Sequence, residues 1–179
     1  MELNVKAPNF DLTDIYDRQI KLSSYQGKKV LIGFFRHAGC PFCNLRVHTL
    51  MKNRESFLAE NMEMIFFFQS EKEIMLRSNF HQTVSPVPLI PDPTKKWYEI
   101  YGIEESFRKS AYSHLTTFIQ TAIKANRSKV PIHLMAGNES FSTMPGEFLL
   151  DENLVIRKFH YSQTLNDRMT LEEIFGFLK

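Results

Sequence analysis

The chain has 179 residues, 43% of them apolar and 23% charged, which is the make-up of one compact domain, and its sixteen Phe imply a large aromatic core. A net charge of +2 and a pI near 8.5 are too mild to argue for a nucleic-acid partner. The longest apolar cluster, Met64-Ile65-Phe66-Phe67-Phe68, falls far short of the roughly 20 residues a membrane span needs, and Met1 to Lys6 lacks the basic start and apolar run of a secretory leader. The expectation is a soluble, cytoplasmic protein in which a structural disulfide has no place, so the only two cysteines read as chemistry or metal.

In chain order, Phe10-Asp11-Leu12-Thr13 and Gln19-Ile20-Lys21-Leu22 alternate apolar and polar residues and predict an N-terminal β-hairpin. Val30 to Phe35 is apolar without alternation, as a strand buried on both faces should be. Val47, Leu50, Met51, Phe57 and Leu58 then share a helix face, with Asn61 closing the helix before a second buried strand, Met62 to Gln69. This order is a βαβ unit with a right-handed crossover. Ser70 reads as the N-cap of the next helix with Glu73 completing a capping box. Pro86, Pro88, Pro91 and Pro93 mark an extended loop around Leu89-Ile90, and Lys95 to Tyr101 is a short helix ended by Gly102. Phe107, Ala111, Leu115, Phe118, Ala122 and Ile123 give a long amphipathic helix with a basic end at Lys124, Arg127 and Lys129. The polar stretch from about Ser128 to Thr143 reads as a loop. Pro145 to Asp151 and Leu154 to Phe159 form a hairpin, and Leu171, Ile174, Phe175 and Leu178 a C-terminal helix. No repeat or domain boundary appears, so residues 1–179 read as a single domain.

The chemistry concentrates in Arg36-His37-Ala38-Gly39-Cys40-Pro41-Phe42-Cys43. The pair falls where a buried strand gives way to a helix, and Pro41 suits the first helical position. Cys40 is then the N-cap, its sulfur facing the free N–H groups of Phe42 and Cys43 at the positive helix end, and both effects lower a thiol pKa. Cys43, one turn on, lies on the same side and can close a disulfide. Arg36 and Arg46 are near enough to add positive charge, and His37 is a candidate base or pKa modulator. A zinc site using the cysteines with His37 and His48 fits no common ligand template, so neither metal nor organic cofactor is expected.

The stretch from Phe34 to Arg46 resembles the peroxiredoxin-like branch of the alkyl hydroperoxide reductase and thiol-specific antioxidant family. Ala7 to Leu12 is similar to that family's opening strand, Pro91-Asp92 with Tyr98 to Ile103 to its middle segment, and Met144 to Asp151 to its late strand. The resemblance implies an α/β thioredoxin-like fold, with a central mixed sheet flanked by helices and an added N-terminal β-hairpin. It also implies reduction of a peroxide or a disulfide through Cys40 and Cys43, a thioredoxin- or glutathione-type reductant, and a homodimer. The family's Pro-x-x-x-Thr-x-x-Cys motif is absent. Placing Cys43 on its cysteine puts Cys40 on the Thr and Arg36 on the Pro, and placing Cys40 there puts His37 on the Thr and Gly33 on the Pro. Pro145 stands about where the family carries an Arg before the late strand and where thioredoxins carry a cis-proline against the dithiol. The order in which the sulfurs react stays open. The rival reading is a non-catalytic binding module or redox sensor whose dithiol switches a surface.

Overall fold

The computed structural model describes residues 1–84, 86–130, 135, 137 and 139–179. Its centre is a five-stranded sheet of order β5-β4-β3-β6-β7, comprising β3 (Lys29–Phe34), β4 (Met62–Phe68), β5 (Leu89–Pro91), β6 (Gly146–Leu150) and β7 (Ile156–Tyr161). The predicted hairpin is a separate two-stranded sheet, β1 (Asp11–Thr13) against β2 (Gln19–Lys21). Strand β3 runs parallel to β4 and antiparallel to β6, so the sheet is mixed.

The unbroken apolar runs follow from burial on both faces. Val30, Ile32 and Phe34 point into a cluster with Phe10, Ile65, Phe67, Tyr98, Tyr101 and Phe148. Leu31 and Phe35 point the other way, with Met64, Phe66 and Phe68, into the cluster that holds Cys40 and Cys43. Period-two geometry therefore splits one apolar run between an aromatic core and the dithiol side.

Helix α1 (Pro41–Lys52) returns across the sheet and is followed by a separate α2 (Arg54–Ala59). The break at Asn53 divides what the periodicity reads as one helix, and Asn61 (φ 57°) turns the chain into β4. The short helices α3 (Lys72–Leu76), α4 (Asn79–Thr83) and α5 (Lys96–Ile100) follow, then α6 (Phe107–Arg127) packed against α1, and α7 (Leu171–Leu178). The Thr170 side chain and Glu173 close a capping box on α7.

Three expectations are corrected. Ser70 caps no helix: α3 begins one residue later than a Ser70 cap requires, with Glu71 as N-cap, and Ser70 is buried beside Ala38. The proline-rich loop contains β5, an edge strand where a proline's missing N–H is tolerated. Helix α6 exists, but apart from Phe118, which packs against the cysteine cluster, its large apolar side chains are exposed. Leu115 is 88% and Ile119 76% exposed, whereas Ser110, Ser113, Thr121 and Ala125 are buried. Of the predicted loop from Ser128 to Thr143, residues 131–134, 136 and 138 lie outside the described residues. No helix among the described residues is long and apolar enough to cross a membrane.

Candidate active site

Strand β3 ends at Phe34, and the chain turns through His37-Ala38-Gly39 into α1. Four hydrogen bonds hold this turn. The Cys40 N–H donates to the His37 carbonyl at 3.0 Å, the Asn44 side-chain amide to the Ala38 carbonyl at 2.8 Å, the Ala38 N–H to the Ser70 hydroxyl at 2.7 Å, and the Gln69 N–H to the Arg36 carbonyl at 3.2 Å. Cys40 is the N-cap of α1 with extended backbone, and Pro41 is the first helical residue. The expected capping hydrogen bond from Phe42 or Cys43 to the Cys40 side chain is not formed. The sulfur is held from its other side.

Both cysteines are unbridged and have no exposed surface. Arg36 is equally buried and reaches both: its backbone N–H donates to Cys43 Sγ at 3.3 Å, and its Nη1 to Cys40 Sγ at 3.6 Å. The rest of the guanidinium is anchored by neutral groups. Nη2 donates to the Phe141 carbonyl at 2.8 Å and to Ser110 Oγ at 3.4 Å, Nη1 lies 3.4 Å from His114 Nε2, and the Phe141 ring sits 5.4 Å from its carbon. Because a guanidinium only donates, His114 Nε2 must be the bare, accepting nitrogen. Arg36 pairs with no carboxylate among the described residues, and its Nε has no partner there.

This arrangement separates the two thiols. Burial pushes Cys40 up, but the Cys43 thiol donating to its sulfur, the Arg36 and His37 charges and the nearby Cys43 N–H outweigh it, leaving Cys40 well below an ordinary thiol. Burial, donation to Cys40 and the Cys40 negative charge push Cys43 well above, against the pull of Arg168 and Arg36. Of the two, Cys40 is therefore the more acidic thiol and Cys43 the less acidic. Burial lowers His37, with the Cys40 charge opposing and Arg36 reinforcing, and its Nδ1 stands 3.7 Å from Glu139.

The remaining candidates, Arg46 and Pro145, form no hydrogen bond to either sulfur among the described residues. Arg46, one turn further along α1, forms a buried fork with Glu147 of β6, at 2.7 Å to one oxygen and 2.8 Å to the other, and donates to the Met169 carbonyl at 2.7 Å. The Met144–Pro145 peptide is trans, so the cis geometry of the thioredoxin comparison is not found. The Pro145 carbonyl accepts from Ser162, and it is Met144 that joins the apolar cluster of the cysteines.

Sequence reasoning missed Ser70, Ser110, His114, Glu139 and Phe141. Helical spacing puts Ser110 and His114 on one face of α6, but nothing local tells which way that face points. Among the described residues, no group of three or more His, Cys, Asp or Glu side chains is placed to hold a metal ion.

A mixed sheet with an appended hairpin and a Cys-x-x-Cys pair opening the helix after a central strand defines a thioredoxin-like dithiol protein. Residues 3–159 match the AhpC/TSA family, and the chain belongs to that family. It is 37% identical over 59 residues to a Buchnera aphidicola protein assigned as a peroxiredoxin bcp, an alignment spanning 33% of this chain and 37% of that one. It is 24% identical over 103 residues to the thiol-disulfide oxidoreductase ResA of Bacillus thuringiensis subsp. konkukian, spanning 58% and 59% of the two chains. The chain thus matches between about a third and three fifths of these relatives' lengths. Among solved structures, a yeast mitochondrial 1-Cys peroxiredoxin superposes with a TM-score of 0.68 at 14% identity, over 99% of this chain and 75% of that one. The peroxidoxin BcpB of Mycobacterium tuberculosis gives 0.66 at 12% identity, over 99% and 94%. At these identities the likeness shows the fold.

Proposed function

We propose that the protein is a thiol-dependent oxidoreductase in which the Cys40 thiolate attacks the oxidant and Cys43 resolves the product. The observation that carries this is the Arg36 guanidinium, buried without a carboxylate among the described residues and directed at Cys40 Sγ from 3.6 Å. A buried cation needs an anion, and the thiolate is the one at hand.

Complete burial of both sulfurs favours a small oxidant, a hydroperoxide, over a folded protein's disulfide, which must bring three sulfurs into line at the attacked atom. In the first step the thiolate takes the terminal peroxide oxygen. The O–O bond breaks, the leaving alkoxide or hydroxide picks up a proton, and Cys40 becomes a sulfenic acid. The Cys43 thiol then attacks that sulfur, water leaves, and a Cys40–Cys43 disulfide remains. Two equivalents of thiol from a glutathione- or thioredoxin-type donor restore the dithiol. The ResA-like stretch and the N-terminal cysteine at a helix start support disulfide exchange by the same pair. There Cys40 forms the mixed disulfide and Cys43 releases it.

The test is consumption of hydrogen peroxide, and separately of a small model disulfide, in the presence of dithiothreitol. Cys40→Ser is expected to abolish turnover of either oxidant. Cys43→Ser, treated with peroxide without dithiothreitol, is expected to consume one equivalent and stop at the sulfenic acid. Turnover surviving in Cys40→Ser sinks the assignment, and a wild type inert to both oxidants favours the redox-sensor reading.

A further inference from the structure

Helix α6 turns a polar face inward and an apolar one outward. Ser110 and Ser113 are buried because they serve the interior. Ser110 Oγ accepts from Arg36 and donates to the Phe141 carbonyl at 2.7 Å, and Ser113 Oγ accepts the Leu165 N–H at 3.0 Å. Tyr112, Leu115, Ile119 and Ile123, three and four residues apart, are thereby left on the outer side as one stripe, each between 50% and 88% exposed. Apolar residues scattered over a surface need no explanation, but a continuous row along one helix does.

The charge around the stripe narrows what can cover it. Residues 107–130 hold five Lys or Arg and no Asp or Glu. Arg108 stands one turn before Tyr112 and Arg127 one turn after Ile123, both exposed, so an arginine closes each end of the row. Lys109 is paired with Glu104, whereas Arg108, Lys124, Arg127 and Lys129 form no ion pair among the described residues. A second copy of the helix fits this poorly. An antiparallel pair that sets Leu115 against Ile119 also sets Arg108 against Arg127 at both ends, and a parallel pair sets each arginine against its own copy. Either brings like charges together, with no carboxylate on the helix to separate them. An anionic surface with an apolar layer beneath it meets both the stripe and its ends.

We propose that the outer face of α6 docks on the surface of a membrane containing anionic lipids, with Tyr112, Leu115, Ile119 and Ile123 entering the boundary between headgroups and acyl chains and Arg108 and Arg127 on lipid phosphates. A helix with a marked apolar face, basic residues and low overall apolarity lies in the interface plane, and α6 is not apolar enough to cross a bilayer. From Arg108 to Arg127 it extends about 29 Å at 1.5 Å per residue, so the whole stripe can lie flat on the surface. The arginine stems run along apolar surface while their heads reach the phosphates. Ser110 and Ser113 keep their contacts on the opposite side of the helix, so docking requires no rearrangement around Arg36.

The experiment sediments the whole reduced chain with vesicles of phosphatidylcholine alone and of phosphatidylcholine mixed with phosphatidylglycerol. Binding is expected to be far stronger to the mixed vesicles and to weaken in high salt. Arg127→Gln is expected to weaken it about fivefold, the worth of one basic residue near an anionic surface. Leu115→Ser combined with Ile119→Ser is expected to weaken it at least about tenfold, because two apolar side chains no longer leave water. Both positions are exposed, so the thermal unfolding midpoint of that variant should stay close to wild type. Equal binding to the two vesicle types, or binding to neither, overturns the proposal. So does binding that survives the paired serine change in a folded chain, since adsorption by charge alone needs no apolar stripe. A dimer in sedimentation velocity that the serine pair dissociates, in a chain that ignores vesicles, gives the face to a second copy instead. The vesicle composition and Arg127→Gln decide the matter even where the serine pair unfolds the chain.

Discussion

Two buried arginines flank the first turns of α1, and the fold treats them differently. Arg46 meets a carboxylate on equal terms: both Glu147 oxygens face its fork, and the Met169 carbonyl and N–H close the surroundings. Arg36 meets a carbonyl, a hydroxyl, an imidazole, an aromatic face and a sulfur, and no carboxylate among the described residues. The first is a closed pair and holds α1 to β6. The second is an open charge, neutralised only while Cys40 is ionised. The difference teaches that burial of a cation near a thiol says little until its counter-ion is named.

The largest effect is expected where the closed pair is broken. Glu147→Gln leaves Arg46 charged and buried, and should cost about 3–5 kcal/mol of unfolding free energy. The double change Arg46→Met with Glu147→Leu should recover most of that in a urea titration, because well-packed apolar replacements of a buried pair are often neutral. A loss below about 1 kcal/mol for the single change, the range of exposed pairs, would erase the contrast between the arginines.

Opening Arg36 instead should change chemistry more than stability. Arg36→Met removes the cation at Cys40, so alkylation of Cys40 at pH 7 should slow by about tenfold, one pKa unit's worth. Oxidation replaces the thiolate with a neutral disulfide and leaves Arg36 without its anion. The wild-type disulfide is therefore the more oxidising of the two, and Arg36→Met should lower the potential of the couple by about 30 mV for each tenfold change. An unchanged potential with a large stability loss would make Arg36 a second structural arginine.

The pH dependence follows from the same asymmetry. Cys40 titrates lower in the folded chain than the roughly 8.5 of a free thiol. Its contribution is fully present above that free value and is lost as pH falls through the folded one. Cys43 titrates higher when folded, so it subtracts stability as pH rises past about 8.5. Unfolding of the reduced protein, measured against Cys40→Ser under reductant, should show a difference that grows from acid pH towards about 8.5. A difference independent of pH would mean that Cys40 is not selectively ionised.

Much of this frame is legible in the residues, because it depends on local rules. The unbroken run Val30 to Phe34 can only be a strand covered on both faces, and a proline after Cys40 can only open a helix. What the chain hides is pairing between distant segments. Arg46 and Glu147 lie 101 residues apart, and Arg36 and Phe141 105, and neither spacing carries a pattern. Helix α6 misleads for a further reason. Its apolar stripe has sound helical period, yet Leu115 and Ile119 point outward and Ser110 and Ser113 inward, because the inner face serves Arg36 and, through Ser113 Oγ, the Leu165 N–H. Periodicity identifies the helix; a buried polar demand decides its rotation.

The smallest expected effect isolates the turn that delivers Arg36 to the sulfur. The Ser70 hydroxyl accepts the Ala38 N–H at 2.7 Å and donates to the Glu139 carboxylate, so it ties the loop before Cys40 to the segment ahead of β6. Ser70→Ala leaves that N–H buried without its acceptor and should cost about 1 kcal/mol, at the lower end for an unsatisfied donor. Ser70 has no contact with either sulfur among the described residues, so a charge-based account predicts that the alkylation pKa of Cys40 barely moves. If the pKa rises as far as in Arg36→Met, the position of the 36–40 turn sets the thiolate as much as the guanidinium does. The contrast between the two arginines would then be one of scaffolding, with Arg36 needing a rigid turn that Arg46, clamped by its own carboxylate, does without.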